Sequence, residues 1–355
     1  ILGQAFCPPG FHGKLNPNAT LGYNTGENLI LPDNWEKNTF KNNLRQEYNA
    51  NITGGNSKLT YYASFNHLND QGIIQNSDYK RYNFRTAVDY QINDWLKVGT
   101  NVGYTYSNSR YPDEQTETNS SGNAFGIAYT IAPVYSFWVR DAQGNIMRDA
   151  ATGNKVYDYG SIGYGGIMDR SYQPGANPAG QLVYDKTEYL TDNVSLNNYV
   201  QITPLKGLTI TGRMGATILN QRANFLLNPF YGQFAEINGA AEQAHERFRS
   251  TDYQLLGEYR TTFNDVHHMG LLLGYDGYNM TTDDIGGSAQ GLYDPTSYWL
   301  YNAIDQKNVF GYHNEYSTQG YFFRGNYPEL YVDGQLVINN NHFPSNHHFS
   351  GTRSI

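Results

Sequence analysis

Apolar residues return at every second position along one stretch after another of this sequence. In RYNFRTAVDYQI, residues 81–92, Tyr82, Phe84, Thr86, Val88, Tyr90 and Ile92 share one side, while Arg81, Asn83, Arg85, Asp89 and Gln91 share the other. A period of two is the period of a β-strand, and it gives the strand two unlike faces. The pattern recurs around Tyr48–Ile52, Leu59–Phe65, Leu96–Tyr106, Val194–Ile202, Leu208–Ile218, Tyr253–Phe263, Met269–Tyr275 and in GYFFRGNY at 320–327. That makes about nine strands. No run of about 18 apolar residues offers a membrane helix, which leaves open a crossing by strands.

The connections carry the second constraint. Short turns are expected at 54–56, 93–94, 203–207 and 264–267, where Gly, Asn and Asp tolerate the backbone of a tight reversal. Longer polar connections fall between them, at 68–80, 107–186, 220–249 and 280–317. Strict alternation of short and long puts every long loop at one end of the sheet. This is the rule of outer-membrane barrels, with short periplasmic turns and long extracellular loops. Such a barrel also explains the faces. One meets lipid; Arg81, Arg85, Asp89, Lys97, Arg213, Glu258 and Arg260 face a wet lumen, avoiding the roughly 2–4 kcal/mol cost of a cation at the lipid midplane. Tyr79, Tyr82, Trp95, Tyr104 and Tyr106 near strand ends suit the aromatic girdles. The competing reading is an antiparallel sheet with one dry and one solvated face.

Composition excludes some functions. The net charge is −8, with no basic footprint for nucleic acid. The single cysteine, Cys7, has no partner for an internal disulfide and no hydrophobic leader before it. His267-His268 and the tail residues His342, His347 and His348 lack zinc-site spacing. No cofactor is expected. Asp283-Asp284 and the Asp113, Glu114, Glu117 group could offer oxygen ligands to calcium, without an EF-hand pattern to support it. GSIGYGGIMD at 160–169 has no phosphate-loop Lys-Ser/Thr, and no nucleophile elbow or Ser-His-Asp set is present. Loop aromatics are the better lead: Tyr135, Phe137, Trp138, Tyr164, Tyr298, Trp299 and Tyr301 fall in the long connections. Aromatic faces can stack on cargo while nearby Asn and Asp hydrogen-bond it. The alternative is that they pack the loops over the barrel mouth.

NITGGNSKLTYYASFNHLNDQGIIQNSDYKRYNFRTAVDYQINDWLKVGTNVGYTYS, with its ordered turn, strand, loop and strand, resembles the SusC/RagA family of TonB-dependent outer-membrane transporters. APVYSFWVRDAQGN at 132–145 is similar to a large extracellular loop of that family. The resemblance implies a 22-stranded barrel around a plug, a SusD-like surface lipoprotein as partner, energy from the TonB complex and a cargo of oligosaccharide or peptide. It also implies the outer membrane of a Gram-negative, Bacteroidetes-like cell. Against that pattern the chain reads as an incomplete barrel: an up-and-down antiparallel segment at 45–327, a poorly matched lead-in at 1–44 and an atypical polar tail at 328–355. The plug that would contact TonB is not recognised in it. A soluble β-rich glycan-binding module or glycosidase, and a passive porin or surface adhesin, are the alternative functions.

Overall fold

A computed structural model describes residues 22–112, 122–132, 134–150, 153–164, 166–232, 234–264, 267–327, 330–343 and 346–354. Cys7, Asp113, Glu114 and Glu117 lie outside these residues, as do the side chains of Tyr164, His342, His347 and His348. A two-stranded ribbon, β1 (Tyr23–Asn24) and β2 (Leu29–Ile30), and a short helix α1 (Trp35–Thr39) precede the main sheet. The sheet has 11 strands in sequential antiparallel order. These are β3 (Arg45–Gly55), β4 (Leu59–Gln71), β5 (Asp78–Asn93), β6 (Leu96–Arg110), β7 (Lys186–Leu205), β8 (Leu208–Leu227), β9 (Ala240–Phe263), β10 (His267–Leu292), β11 (Ala303–Tyr327), β12 (Leu330–Phe343) and β13 (Asn346–Ser354). Helices α2 (Ala124–Thr130) and α3 (Pro178–Tyr184) lie in the β6–β7 connection.

The alternating rhythm of connections holds as far as β12. The turns after β3, β5, β7, β9 and β11 are short, and those after β4, β6, β8 and β10 are longer. At the β7–β8 turn Gly207 has φ +88°, and a Cβ there would meet the Arg260 carbonyl oxygen at 2.3 Å. The connection needs a residue with no side chain. Only two residues separate β12 from β13, which ends the rhythm.

Two departures from the sequence expectation share one physical cause. The sheet has two strands more than the nine expected, because residues 330–343 pair with β11 and residues 346–354 with β12 in register. The strands also outrun their hydrophobic alternation: the connections expected at 220–249 and 280–317 shrink to 228–239 and 293–302. Backbone pairing does not require apolar side chains, so the ladder continues after the side-chain pattern stops.

Register places the apolar faces together. Directly opposed residues share a face, and Phe65, Phe84, Tyr104, Val194 and Ile218 are opposed in sequence across β4–β8. Tyr90, Val98, Val200 and Gly212 form a second such row, and Ile210, Gly257, Leu273 and Phe323 a third. This surface covers no core. Leu273 is 56% exposed, Leu255 54% and Phe65 46%. A soluble sheet would bury that face; a continuous exposed apolar wall needs a nonaqueous neighbour. Aromatic rows mark its border. Tyr48, His67, Tyr82 and Tyr106 follow one another at ring separations of 6.1, 4.6 and 6.3 Å, and Tyr253, Tyr275 and Tyr321 at 6.0 and 5.0 Å. Such rows are interfacial girdles.

The opposite face is polar and internally bonded. Arg81 donates to Asn66 at 3.1 Å, Arg85 to Asn101 at 3.1 Å and Arg213 to Gln254 at 3.3 Å. Tyr199 lies over Gly99, donates to Asp89 and holds Lys97 over its ring at 5.6 Å. All seven charged residues assigned to the lumen fall on this face. Strands β3 and β13 each leave one long edge unpaired among the described residues. Several kcal/mol per unsatisfied group in hydrocarbon require those edges to be closed by further pairing in a membrane.

Spin labels at Val88, Val98, Val102, Ile210 and Leu271 in the intact membrane protein are expected to be quenched by lipid-soluble probes. Labels at Arg85, Asp89, Asn101, Arg213 and Glu258 should respond to water-soluble ones instead. Equal access at both sets would refute the two-faced wall.

Candidate functional site

The loop end of the sheet carries a packed cap, built from the segment before β3 and the long β6–β7 connection. Its centre is apolar: Trp35, Ile127, Ile131, Phe137, Trp138, Ala176 and Ala179 are buried together, with Tyr135, Ile146 and Tyr157 against them. Phe137 meets Trp35 edge-on at 4.9 Å and Trp138 at 4.8 Å. A smaller cluster of Ile74, Ala124 and Leu182 joins the β4–β5 turn to α2 and α3.

One carboxylate fastens the two sequence-distant parts of the cap. Asp33 takes both guanidinium nitrogens of Arg140, at 2.7 and 2.9 Å, and the backbone N–H groups of Phe137 and Trp138 at 2.8 and 3.3 Å. The side chains of both partners are about nine-tenths buried. Burial of this pair is tolerable because the bidentate fork and the two amides satisfy the carboxylate. Trp35 Nε1 donates to the Tyr135 carbonyl at 3.0 Å, and Ser136 Oγ to the Leu31 carbonyl at 2.9 Å. Asn177 at the start of α3 donates to the Phe137 and Asp158 carbonyls, both at 3.1 Å. Farther along, Asp185 accepts from the Asn228 backbone N–H at 2.8 Å and its amide at 2.6 Å. This ties the end of α3 to the β8–β9 loop. Tyr231 on that loop donates to Asp149 at 2.9 Å and stacks on Tyr159 at 5.7 Å.

Among the described side chains, the aromatics singled out from sequence fall into two groups, one in the cap and one on the β10–β11 loop. Phe137 and Trp138 are core residues of the cap, fully buried and 8% exposed, and offer no face to a ligand. Tyr135 packs against the same cluster, its hydroxyl 3.4 Å from Ser171 Oγ. Tyr164 lies in a 3-10 turn, Ile162–Tyr164. Tyr298, Trp299 and Tyr301 belong to the β10–β11 loop, which folds onto the outward side of the wall. Tyr298 and Leu300 cover Leu226, Ala241, Ala289, Leu292 and Ala303, and Leu300 reaches within 3.3 Å of where a Gly287 Cβ would point. Trp299 and Tyr301 stay exposed.

A different aromatic group was hidden by the fading of the sequence pattern. Tyr278 on β10 and Phe310, Tyr312 and Tyr316 on β11 occupy the inward face near the loop end, as the Asp284–Tyr312 and Gly286–Phe310 pairs fix. Tyr278 and Tyr316 meet at 6.2 Å, edge to face. Phe310 lies over Gly286, and both Phe310 and Tyr312 are exposed to the interior space. Two-residue spacing in 310–316 was the available signal. It falls in a stretch that reads as loop because the outward positions there are polar.

Asp283 and Asp284 do not converge on one site. Asp283 is held by Arg249 at 3.0 Å and His313 at 2.6 Å, and Asp284 points to the other face. His267 pairs with the Tyr327 hydroxyl at 2.6 Å and His268 with Thr262 at 2.9 Å.

No family model matches the chain. A TonB-dependent receptor of Formosa agariphila is 22% identical over 297 residues, 82% of this chain and 27% of the receptor. SusC, a TonB-dependent receptor of Bacteroides thetaiotaomicron, is 29% identical over 108 residues, 29% of this chain and 10% of SusC. The solved RagAB peptide importer in its closed-closed state superposes with a TM-score of 0.69 at 21% identity, over 95% of this chain and 36% of the importer chain. The sheet is similar to the barrel wall of SusC/RagA-type TonB-dependent receptors. Walls of this type are those of outer-membrane proteins of Gram-negative bacteria, and the relatives named are receptors and transporters. The chain spans about a quarter of the length of the Formosa receptor and about a third of the importer chain. The ferripyoverdine receptor of Pseudomonas aeruginosa, at 9% identity and TM-score 0.50, shares the fold alone.

Two outcomes follow for the cap. Asp33→Ala strands the Arg140 charge and two buried amides, and is expected to cost about 3–5 kcal/mol. Limited proteolysis should then cut within 122–185, where the unaltered protein resists; unchanged resistance would show that the carboxylate does not hold the cap.

Burial pushes the Asp185 carboxyl up to about 6 against the opposing Asn228 hydrogen bonds, and raises Asp158 as well. A raised acid binds more protons folded than unfolded, so this contribution to stability is full below about pH 4 and lost as pH rises to about 6. Asp185→Asn should flatten that dependence and stabilise the cap at pH 7 by roughly 1–3 kcal/mol. Hydrogen exchange of the cap amides at pH 4.5 and 7 measures it; an identical pH response in the variant would exclude Asp185 as the source.

Proposed function

We propose that this wall belongs to an energised nutrient importer of a Bacteroidetes-type outer membrane, which takes up oligosaccharide or peptide together with a SusD-like surface lipoprotein and draws energy through TonB. The observation that carries the reading is the wall itself: an exposed apolar face bounded by aromatic rows, backed by a charged, hydrogen-bonded face. A passive barrel would use the same wall. The similarity to SusC and to a solved peptide importer favours energised import.

Within this reading, cargo meets the inward aromatics Tyr278, Phe310, Tyr312 and Tyr316. These present flat apolar faces among Asn314, Asp284 and Thr282 on the same side. An apolar platform with a few polar groups suits a sugar ring or a peptide side chain. Trp138 serves the fold, and Trp299 stands on the outer side.

In the intact transporter, Tyr312→Ala and Tyr316→Ala are each expected to weaken capture of cargo about tenfold, the scale of a single aromatic anchor. Trp299→Ala should leave it unchanged. Titration calorimetry with mixed oligosaccharides and with an oligopeptide pool reads both classes. Full affinity in both tyrosine variants would remove the stripe as the cargo surface, and uptake that persists without TonB would return the chain to a passive pore.

A further inference from the structure

Charge is sorted by sign across the upper part of the wall. In AEQAHERFRS, residues 241–250, strand alternation sends His245, Arg247 and Arg249 outward and Glu242 and Glu246 inward. Asp284 on β10 faces inward directly opposite Glu246, and Asp252 faces inward opposite Tyr278. From the rung of Asp252 up to the rung of Glu242, the inward positions of β7–β11 include no Lys, Arg or His. This is the face that also carries the exposed rings of Phe310 and Tyr312.

The outward acid of this region, Asp283, is paired with Arg249 and His313. Its inward neighbours have no such partners. No hydrogen bond or ion pair holds Glu246 or Asp284 among the described residues, and one oxygen of Asp284 is shut off from solvent without a partner. Directly opposed residues hold their Cβ atoms about 5 Å apart, where two carboxylates repel. A cation between them relieves the repulsion and supplies the missing hydrogen bond.

Aromatic groups stand on both sides of the acid pair. Tyr312 lies directly opposite Asp284 on β11, with Phe310 one rung above. On the other side Tyr189 of β7 stacks on Tyr111 at 4.8 Å and meets Phe225 edge-on at 5.7 Å. The rung that joins Tyr189 to Phe310 holds only Ala223, Ala244 and Gly286 between them. Four strand spacings of ~4.8 Å make this span about 19 Å, the reach of roughly six extended residues. A guanidinium stacks on an aromatic ring and forks onto carboxylates, so it uses both features of this face at once.

We propose that the cargo of this face is a basic oligopeptide, with an arginine side chain seated between Glu246 and Asp284 against the Tyr312 ring. This rests on the reading that the inward aromatics meet cargo, and narrows that cargo to one class. A neutral sugar would strip water from the carboxylates and return no charge to them. An acidic peptide would be repelled, whereas a basic one is drawn toward the acids before contact.

The test titrates the intact transporter calorimetrically with an end-blocked hexapeptide of Gly and Ser around one arginine. Its twin carries citrulline, which keeps the shape and loses the charge. The arginine peptide is expected to bind about tenfold tighter, the scale of one charge-assisted hydrogen bond. Glu246→Gln/Asp284→Asn should bind the two peptides alike, and Tyr312→Ala should weaken both. Heat-modifiable migration in gels confirms that each variant is folded, and the two peptides compared on the unaltered protein need no variant at all. Equal binding of the twins by the unaltered protein, or the full preference kept by the folded double variant, overturns the proposal. If Tyr312→Ala still weakens binding in that case, the aromatic face stands as a cargo surface and only its charge selectivity falls. A neutral hexasaccharide that binds more tightly than the arginine peptide overturns the proposal as well. So does calcium ion that binds without peptide and excludes it, which would make the acid pair a metal site.

Discussion

Every backbone N–H and C=O group in a lipid-spanning segment must find a partner within the protein, and this sheet is organised by that requirement. Sequential antiparallel pairing from β3 to β13 satisfies the interior of the ladder. Once the ladder is fixed, the two-residue period assigns every side chain to lipid or lumen, with no intermediate choice. Tyr82, Phe84 and Val88 go one way and Arg81, Arg85 and Asp89 the other because the backbone forbids mixing them.

The same ladder continues above the membrane, where its chemistry is different. On the outward side, girdle tyrosines give way to Arg249, Arg247 and His245. On the inward side, charged rungs give way to the Phe310–Tyr316 stripe. One strand can therefore present an apolar face, a charged face and an aromatic face at successive heights. No further fold is needed for this, only a change of side chain along a continuous backbone.

The cap obeys a different rule. It is a small aqueous core, closed by aromatic packing around Phe137 and by the Asp33–Arg140 fork. Its partners come from segments a hundred residues apart in the chain. Tight packing gives the aromatic residues of the APVYSFWVRDAQGN motif a place in this core, with Phe137 and Trp138 buried in it.

The sequence by itself determined the membrane-level wall: period two names its faces, the spacing of Gly, Asn and Asp names its turns, and quoted motifs carry the resemblance to SusC/RagA proteins. These signals are local, so they survive without coordinates. It did not determine where strands end, because hydrophobic alternation reports contact with lipid and not backbone pairing; β8, β9 and β10 run on as polar strands. Nor did it decide which aromatics are free. Trp138 and Trp299 look alike in a loop sequence, yet one is packed against Tyr157 at 4.5 Å and the other stands exposed on the outer rim. Burial depends on partners brought from distant segments, and only the tertiary structure supplies those.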